Sequence, residues 1–271
     1  FGVIDEATPS ARENCMVGNF PILRIGNIRT KLGEMISQSA VVPQLISKED
    51  IQYNKHTKRP VWHTDSTFLS VPPIGSVLHC KQAPDNGAET LFANTRTGYA
   101  SLCEKVKRRL RTLEAVCSLA HHDKKVNSYS PDYPTLTPKQ RAENPPNRVP
   151  IVLKHPITGK NAFYGLNSST CAIVKKGKKI NQERMDLYDI DGEEDQSVDI
   201  IRNLLPQFTT SEHTICWKWQ PGDIVIWDNR CTIHAGTGFD QKKYSREMWR
   251  LILASDNISN IRNLEKKKVR I

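Results

Sequence analysis

The sequence predicts a mainly β protein, an antiparallel sandwich or barrel with helical insertions. Three observations lead to this prediction. Residues 213–219 alternate in side-chain character, as a half-buried strand does, and a Gln-Pro-Gly-Asp turn separates them from an apolar strand at 224–227. Residues 151–154 and 162–164 flank a second turn and have a hairpin pattern. Only two segments have helical spacing, which argues against a doubly wound α/β fold.

The remaining elements follow along the chain. Further strands are predicted at 75–80 and 249–254. Helical spacing predicts one helix at 198–205 and another whose apolar face carries Tyr99, Leu102, Val106, Leu110 and Leu113. We expect one domain over residues 1–271, with loop insertions at 128–147 and 175–196 and a basic C-terminal tail at 256–271.

Composition limits the class of protein. The 271 residues are 38% hydrophobic and 25% charged, which is typical of a globular domain, and no apolar run approaches the ~18 residues of a membrane span. The net charge of +10 raises the question of a nucleic-acid partner, but its separate Lys- and Arg-rich clusters favour a solvated surface. The seven cysteines include no CxxC pair, so we expect reduced thiols in an intracellular, cytoplasmic protein.

A candidate metal site begins at His63-Thr64-Asp65. In an extended segment, residues i and i+2 point to the same face, so the imidazole and the carboxylate can approach one ion. Two histidines and one carboxylate are typical ligands of non-haem Fe(II) oxygenases. The same spacing recurs at His121 and Asp123, but a strand-like neighbourhood favours the first copy.

The second part of this site lies near the C-terminus. His234 follows a strand and a polar turn and can supply the second histidine. Arg246 and Arg250 come shortly afterwards. An arginine fork near a metal suits a cofactor with a distal carboxylate, because a bidentate guanidinium pair fixes both its position and its orientation.

With these residues in this order, the sequence resembles the taurine dioxygenase (TauD/TfdA) family of Fe(II)/2-oxoglutarate-dependent dioxygenases over nearly its whole length. Five ordered blocks carry the resemblance: WHTDSTF at 62–68, PPIG at 72–75, GAETLF at 87–92, HPITGK at 155–160, and WQPGDIVIWDNR at 219–230 with His234. The resemblance implies a double-stranded β-helix (jelly roll) with helical insertions. It also implies that the chain lacks the family's N-terminal segment.

The resemblance further implies roles for single residues. His63, Asp65 and His234 match the family's iron ligands, and Thr90 and Arg246 match the pair that binds the far carboxylate of 2-oxoglutarate. The implied cofactors are Fe(II), the cosubstrate 2-oxoglutarate and O2. Around the substrate and the iron-side carboxylate, the resemblance places Arg59, Ser66, Lys124, Asn167 and Arg250.

The expected activity is hydroxylation of a small, anionic organic substrate with release of succinate and CO2. Arg59 and Lys124 stand where taurine dioxygenase has neutral residues, so the pocket is more basic and taurine is not the expected substrate. The sequence leaves open that both side chains point to solvent. It also leaves open a nucleic-acid or protein substrate, a non-catalytic jelly-roll binding module and a homo-oligomer.

Overall fold

A computed structural model describes residues 16–17, 20–29, 35–37, 62–122, 136–166, 169–179, 196 and 199–254. Strands dominate these residues: β1 Met16–Val17, β2 Phe20–Arg29, β3 Met35–Ser37, β4 Gly75–Gln82, β5 Thr90–Asn94, β6 Leu113–Cys117, β7 Asn147–Pro150, β8 Val152–Lys154, β9 Asn161–Phe163, β10 Thr170–Lys175, β11 Thr214–Trp217, β12 Ile224–Asp228, β13 Thr232–Gly236 and β14 Glu247–Leu253. The helices are short: α1 Thr95–Ser101, α2 Glu104–Arg111, α3 Pro138–Glu143, a π-helix at Ile200–Leu204 and α4 Leu205–Phe208.

Two antiparallel sheets form a double-stranded β-helix, which confirms the predicted fold class. The major sheet has the order β1-β2-β14-β4-β12, with β3 paired to β2. The minor sheet has the order β11-β5-β13. The predicted hairpin is also present, as β8 paired with β9, and the strands predicted at 213–219 and 224–227 are β11 and β12.

The apolar core between the two sheets surrounds the candidate site. Its buried side chains come from both sheets and from the turn before β12, and they include Leu78, Phe92, Trp219, Trp227 and Met248. Strand alternation explains this set, because every second residue of β4, β12 and β14 points inward. The core therefore presents aromatic rings toward the space in which the histidines and the carboxylate lie.

The outer face of the minor sheet packs against the helices. The rings of Phe163 and Phe208 are stacked with their centroids 4.5 Å apart. At Gly98 in α1, a Cβ atom would lie 2.8 Å from the Phe208 ring, so only glycine allows this helix to approach α4. This packing forms a second apolar core behind β5 and β13.

The helix predicted over Tyr99 to Leu113 is wrong as a single element. Leu102 and Cys103 are extended, with ψ near 150°, so α1 and α2 are separate helices, and Leu113 begins β6. Leu102 is nevertheless buried, since the break turns it into the core. Apolar spacing alone therefore could not distinguish one helix from two helices and a strand that share the same core.

The other predicted segments are described only in part. Within 128–147, residues 138–143 form α3, which begins with a capping box between Thr137 and Gln140 rather than continuing as a loop. The helix predicted at 198–205 is present over its described residues as the π-helix and α4, and it continues three residues further, to Phe208. Residues 180–195 and 256–271 lie outside the described residues. Within the stretches that the structure describes, no helix has both the length and the apolar character needed to cross a bilayer.

Candidate active site

His63, Asp65 and His234 meet between the major and minor sheets. Oδ1 of Asp65 lies 3.7 Å from Nε2 of His63 and 3.7 Å from Nε2 of His234. The centroids of the two imidazole rings are 4.1 Å apart. One ligand atom from each residue lies within 4.8 Å of the other two. The structure thus brings together the three residues that the sequence predicted.

Backbone hydrogen bonds fix the two histidines relative to each other. His63 and His234 form an isolated antiparallel bridge in which each N–H donates to the carbonyl of the other at 2.9 Å. Side chains of such a pair project from the same side. Asp65 does not continue this strand but lies in a tight turn in which Ser66 has a φ of 50°. The carboxylate reaches the imidazoles from that turn.

The electrostatics of the site favour the protonation states that bind metals. Burial lowers the pKa of His234 to about 3, so its imidazole is neutral at physiological pH. Burial opposes the ionisation of Asp65, but the charge of Arg250, the two histidines and a hydrogen bond from Ser76 together hold the pKa of that carboxyl well below its usual range. The site therefore offers a carboxylate oxygen and a neutral ring nitrogen.

The second oxygen of Asp65 is held separately. The hydroxyl of Ser76, on β4, donates to Oδ2 at 2.6 Å. The Asn229 amide lies 3.5 Å from the Ser76 hydroxyl, and the Trp227 indole N–H donates to the Asn229 side-chain oxygen at 2.9 Å. Asp65, Ser76 and Asn229 are all buried. Oδ1 is thereby left to face the histidines and Arg250.

This donor set fits a divalent transition metal. Two imidazole nitrogens and one carboxylate oxygen on one side of a metal ion leave its remaining coordination positions open, as in non-haem Fe(II) proteins. Aromatic rings surround His234, with Trp227 at 4.8 Å and Phe92 at 6.0 Å between centroids. Such walls exclude bulk water from the side of the site that His234 occupies.

Thr90 lies on the same face of the minor sheet as His234. Phe92 is paired with His234 and Thr90 with Gly236, so Thr90 is one alternation away along β5. The indole N–H of Trp219 donates to the Thr90 hydroxyl at 2.9 Å. Because this bond occupies a lone pair of the oxygen, the hydroxyl proton is directed elsewhere and can be donated to an anion.

Arg246 directly precedes β14, and its guanidinium interacts electrostatically with the buried Cys80. Its Nε atom has no hydrogen-bond partner in the described part of the chain. Burial lowers the pKa of Arg246 to about 10, so the group is still charged at neutral pH. Asn27 fixes its backbone, since the side-chain oxygen of Asn27 accepts from the Arg246 N–H at 2.7 Å and its amide donates to the Tyr244 carbonyl at 2.8 Å. A buried guanidinium nitrogen without a hydrogen-bond partner among these residues suits an anion.

Arg250 lies on the metal side of the site. One of its terminal nitrogens is 3.0 Å from Oδ1 of Asp65, and its Nε is buried without a hydrogen-bond partner among the residues described. Ser66 is buried next to Asp65. The substrate-binding roles of both residues stay predictions. Arg59, Lys124 and Asn167 lie outside the described residues.

Two other groups were candidates for a metal. His121 is buried, and Asp123 lies outside the described residues. His155, Asp228 and Cys231 also lie close together. The ring nitrogen Nδ1 of His155 accepts two backbone N–H groups, so Nε2 carries the proton and donates it to Asp228 at 3.0 Å. Arg230 binds both oxygens of the same carboxylate, so this second group is a satisfied structural network.

The fold and the site define a jelly-roll protein with a candidate centre of two histidines and one carboxylate. The chain belongs to the taurine catabolism dioxygenase TauD, TfdA family, whose profile matches residues 24–252.

Named relatives agree with this membership. An alkylsulfatase of Acinetobacter baylyi is 28% identical over 235 residues, covering 80% of this chain and 64% of the relative. An alpha-ketoglutarate-dependent sulfate ester dioxygenase of Pseudomonas putida is 31% identical over 178 residues, covering 64% of this chain and 52% of the relative. The chain thus spans less than two thirds of the length of these curated relatives.

The likeness to solved structures concerns the fold. A crystal structure of AAD-2 in complex with Mn(II) and N-oxalylglycine has a TM-score of 0.62 at 22% identity and covers 88% of this chain and 75% of that chain. A taurine dioxygenase from Burkholderia xenovorans has a TM-score of 0.59 at 21% identity, covering 94% and 69%.

Sequence reasoning missed four residues that support the site: Asn27, Ser76, Trp219 and Asn229. Three of them act through hydrogen bonds to residues far away along the chain, such as the bond from Trp219 to Thr90. Ser76 binds the Asp65 side chain, 11 residues before it. A serine in a strand or an asparagine in a turn has an ordinary local explanation. Only Trp219 and Asn229 had a signal in the sequence, because both lie in the WQPGDIVIWDNR block.

Proposed function

We propose that the protein is an Fe(II)- and 2-oxoglutarate-dependent dioxygenase that hydroxylates a small, anionic organic substrate. The observation that carries this proposal is the convergence of His63, Asp65 and His234 in the same fold as the Arg246 guanidinium, whose buried Nε has no hydrogen-bond partner among the described residues. In the overall reaction, the substrate, 2-oxoglutarate and O2 give the hydroxylated substrate, succinate and CO2. Fe(II) would be held by the two imidazoles and the carboxylate, and when bound it supplies the oxidising power.

The chain itself contributes binding and orientation. Arg246 pairs with the distal carboxylate of 2-oxoglutarate, and Thr90 donates its hydroxyl proton to the same group. Trp219 keeps the Thr90 hydroxyl turned for this donation, as its hydrogen bond to Thr90 supports. Arg250 lies beside the metal ligands, where it can pair with the iron-side carboxylate or with the anion of the substrate.

An anionic substrate is supported by the charges and by the relatives. The names of two relatives refer to sulfate esters, and that of a third, from Sphingobium herbicidovorans, to phenoxypropionate. Sulfate and carboxylate groups both suit a guanidinium or an ammonium group. Arg59 and Lys124 are the predicted cations of the substrate pocket. Cations close together repel one another unless an anion lies between them, so such a pocket favours an anionic substrate.

A succinate-release assay tests the proposal. Alkyl sulfates, phenoxycarboxylates, sulfonates and neutral compounds of the same shape are compared in the presence of Fe(II), 2-oxoglutarate and ascorbate. Anionic compounds are expected to support turnover, and the charge reversals Arg59→Glu and Lys124→Glu are expected to raise the KM for them without changing 2-oxoglutarate binding.

The exposed Lys139 on α3 provides the control, and Lys139→Glu should change neither constant. Turnover that does not require 2-oxoglutarate would overturn the reaction class. A best substrate that is neutral or cationic, with both pocket variants unaffected, would overturn only the substrate class.

A further inference from the structure

The two oxygens of the Asp65 carboxylate have different surroundings. Oδ1 faces the imidazoles of His63 and His234 at 3.7 Å each and pairs with a terminal nitrogen of Arg250 at 3.0 Å. Oδ2 points away from them and accepts the hydroxyl proton of Ser76 at 2.6 Å. The Ser76 side chain is fully buried, so no water competes for this bond. A buried hydrogen bond to a charged oxygen is among the stronger ones in proteins.

A second layer of hydrogen bonds orients the Ser76 hydroxyl. The indole N–H of Trp227 can only donate, and it binds the side-chain oxygen of Asn229 at 2.9 Å. This assigns the Asn229 amide nitrogen to the side of Ser76, whose oxygen lies 3.5 Å away. As Ser76 accepts from Asn229, its own proton is left for Asp65. Asn229 comes from the turn between β12 and β13, so the network joins that turn to β4.

The contacts of the two Asp65 oxygens affect how many coordination positions the carboxylate takes on a metal ion. A carboxylate can bind a metal through one oxygen or through both, and the second oxygen takes an additional position. An octahedral ion with three protein ligand atoms keeps three positions, and a chelating cosubstrate and O2 need all three. A carboxylate that binds through both oxygens would remove one of them.

We propose that Ser76 is a positioning residue that keeps Asp65 a one-oxygen metal ligand, with Asn229 aligning the Ser76 hydroxyl. This inference rests on the proposed function, because it takes the site to be an Fe(II) centre. The alternative explanation is that Ser76 only fills a small space between β4 and its neighbours. In that case its size matters and its hydroxyl does not.

Binding of Co(II) to the metal-free full chain tests the inference without turnover. The affinity is measured by titration, and the visible absorption of bound Co(II) reports how many ligand atoms surround the ion. Ser76→Ala is expected to weaken Co(II) binding about 10- to 100-fold, as loss of a hydrogen bond to a ligand does, and to change the spectrum. Ser76→Thr keeps the hydroxyl and should largely restore both.

Two further variants test the role of Asn229 and control for the loss of a buried hydroxyl. Asn229→Ala should shift affinity and spectrum in the same direction as Ser76→Ala but by less, since the Ser76 hydroxyl remains. Thr95→Val is the matched control, because it removes a fully buried hydroxyl that has no hydrogen-bond partner in the described part of the chain. It should leave Co(II) binding unchanged. Urea unfolding of each variant verifies that the fold is retained.

The outcomes separate this inference from the proposed function. Wild-type affinity and spectrum in Ser76→Ala would overturn the role of Ser76 and leave the metal centre standing. Equal loss in Ser76→Ala and Ser76→Thr would also overturn it, because side-chain size would then be the cause. A wild-type chain that binds no Co(II) would overturn the metal centre itself.

Discussion

Each ligand residue of the candidate centre is fixed by contacts that do not involve a metal. The backbone bridge between residues 63 and 234 uses only N–H and carbonyl groups, so it persists when either side chain is removed. Asp65 is different, because its carboxylate also pairs with Arg250. Loss of that carboxylate leaves a partly buried cation without its partner.

The first prediction follows from this difference. His63→Ala and His234→Ala should abolish Fe(II)-dependent turnover with little change in the urea midpoint. Asp65→Ala should abolish turnover and also lower the free energy of unfolding. Succinate release and urea unfolding measure the two effects, and His121→Ala, which removes the histidine of the second His-x-Asp copy, should keep turnover. Loss of turnover in His121→Ala together with an active His63→Ala would identify the other copy as the site.

The second prediction concerns the carboxylate anchor. Arg246→Lys keeps the charge but loses the fork, so the dissociation constant of 2-oxoglutarate should rise, by no more than about 2–5 kcal/mol in binding free energy. Thr90→Val removes one hydrogen bond to a charged group and should cost about 1–2 kcal/mol. Calorimetric titration of the Co(II) form measures both. Unchanged 2-oxoglutarate binding in Arg246→Lys would remove this role.

At this scale the sequence predicts the residues that touch ligands better than those that support them. His63, Asp65 and His234 follow from residue chemistry and spacing, and Thr90 and Arg246 follow from the family resemblance. Ser76 does not, because a serine in a strand predicts nothing about a carboxylate that the fold brings beside it. Its partner in the turn after β12 lies 153 residues away, and no local pattern links the two.

At the scale of elements, the positions of strands were predicted well, but alternation did not always identify the buried face, since Ile215 and Trp217 of β11 are exposed. Helices were predicted less well, since the apolar positions of α1, α2 and β6 face one core and imitate a single continuous helix. The close contact between β2 and β14 left no sequence signal at all. Gly26 on β2 has a φ of 151°, and a Cβ atom there would lie 1.8 Å from the Arg246 carbonyl oxygen.

The third prediction tests that contact. Gly26→Ala should lower the free energy of unfolding by more than about 1 kcal/mol and should weaken 2-oxoglutarate binding, because the backbone of Arg246 must move. Gly222→Ala provides the control, since Gly222 also has a positive φ, of 96°, but open space around it. It should show only the conformational cost of about 1–2 kcal/mol and unchanged 2-oxoglutarate binding. Equal effects of both variants on binding would refute the link between β2 and Arg246.

At the scale of the whole molecule, the fold brings charge clusters together that are far apart in the sequence. Lys176, in the turn after β10, donates its N–H to the Thr112 carbonyl at the end of the basic helix α2. Carboxylates lie among these cations, since Glu114 pairs with Arg148 and Asp199 with Arg109. The basic surface is therefore partly neutralised, which favours a solvated face over a binding site for a polyanion.

The fourth prediction follows from that charge distribution and decides between a small substrate and nucleic acid. A protein with a net charge of +10 should bind DNA and RNA weakly at low salt through phosphate contacts alone. Such binding falls steeply with salt, so retention in a filter assay should vanish near physiological ionic strength, where the Debye length is about 8 Å. Added oligonucleotide should also give no succinate above the level without substrate. Binding that persists at high salt and depends on sequence, together with oligonucleotide-dependent succinate release, would instead identify nucleic acid as the substrate.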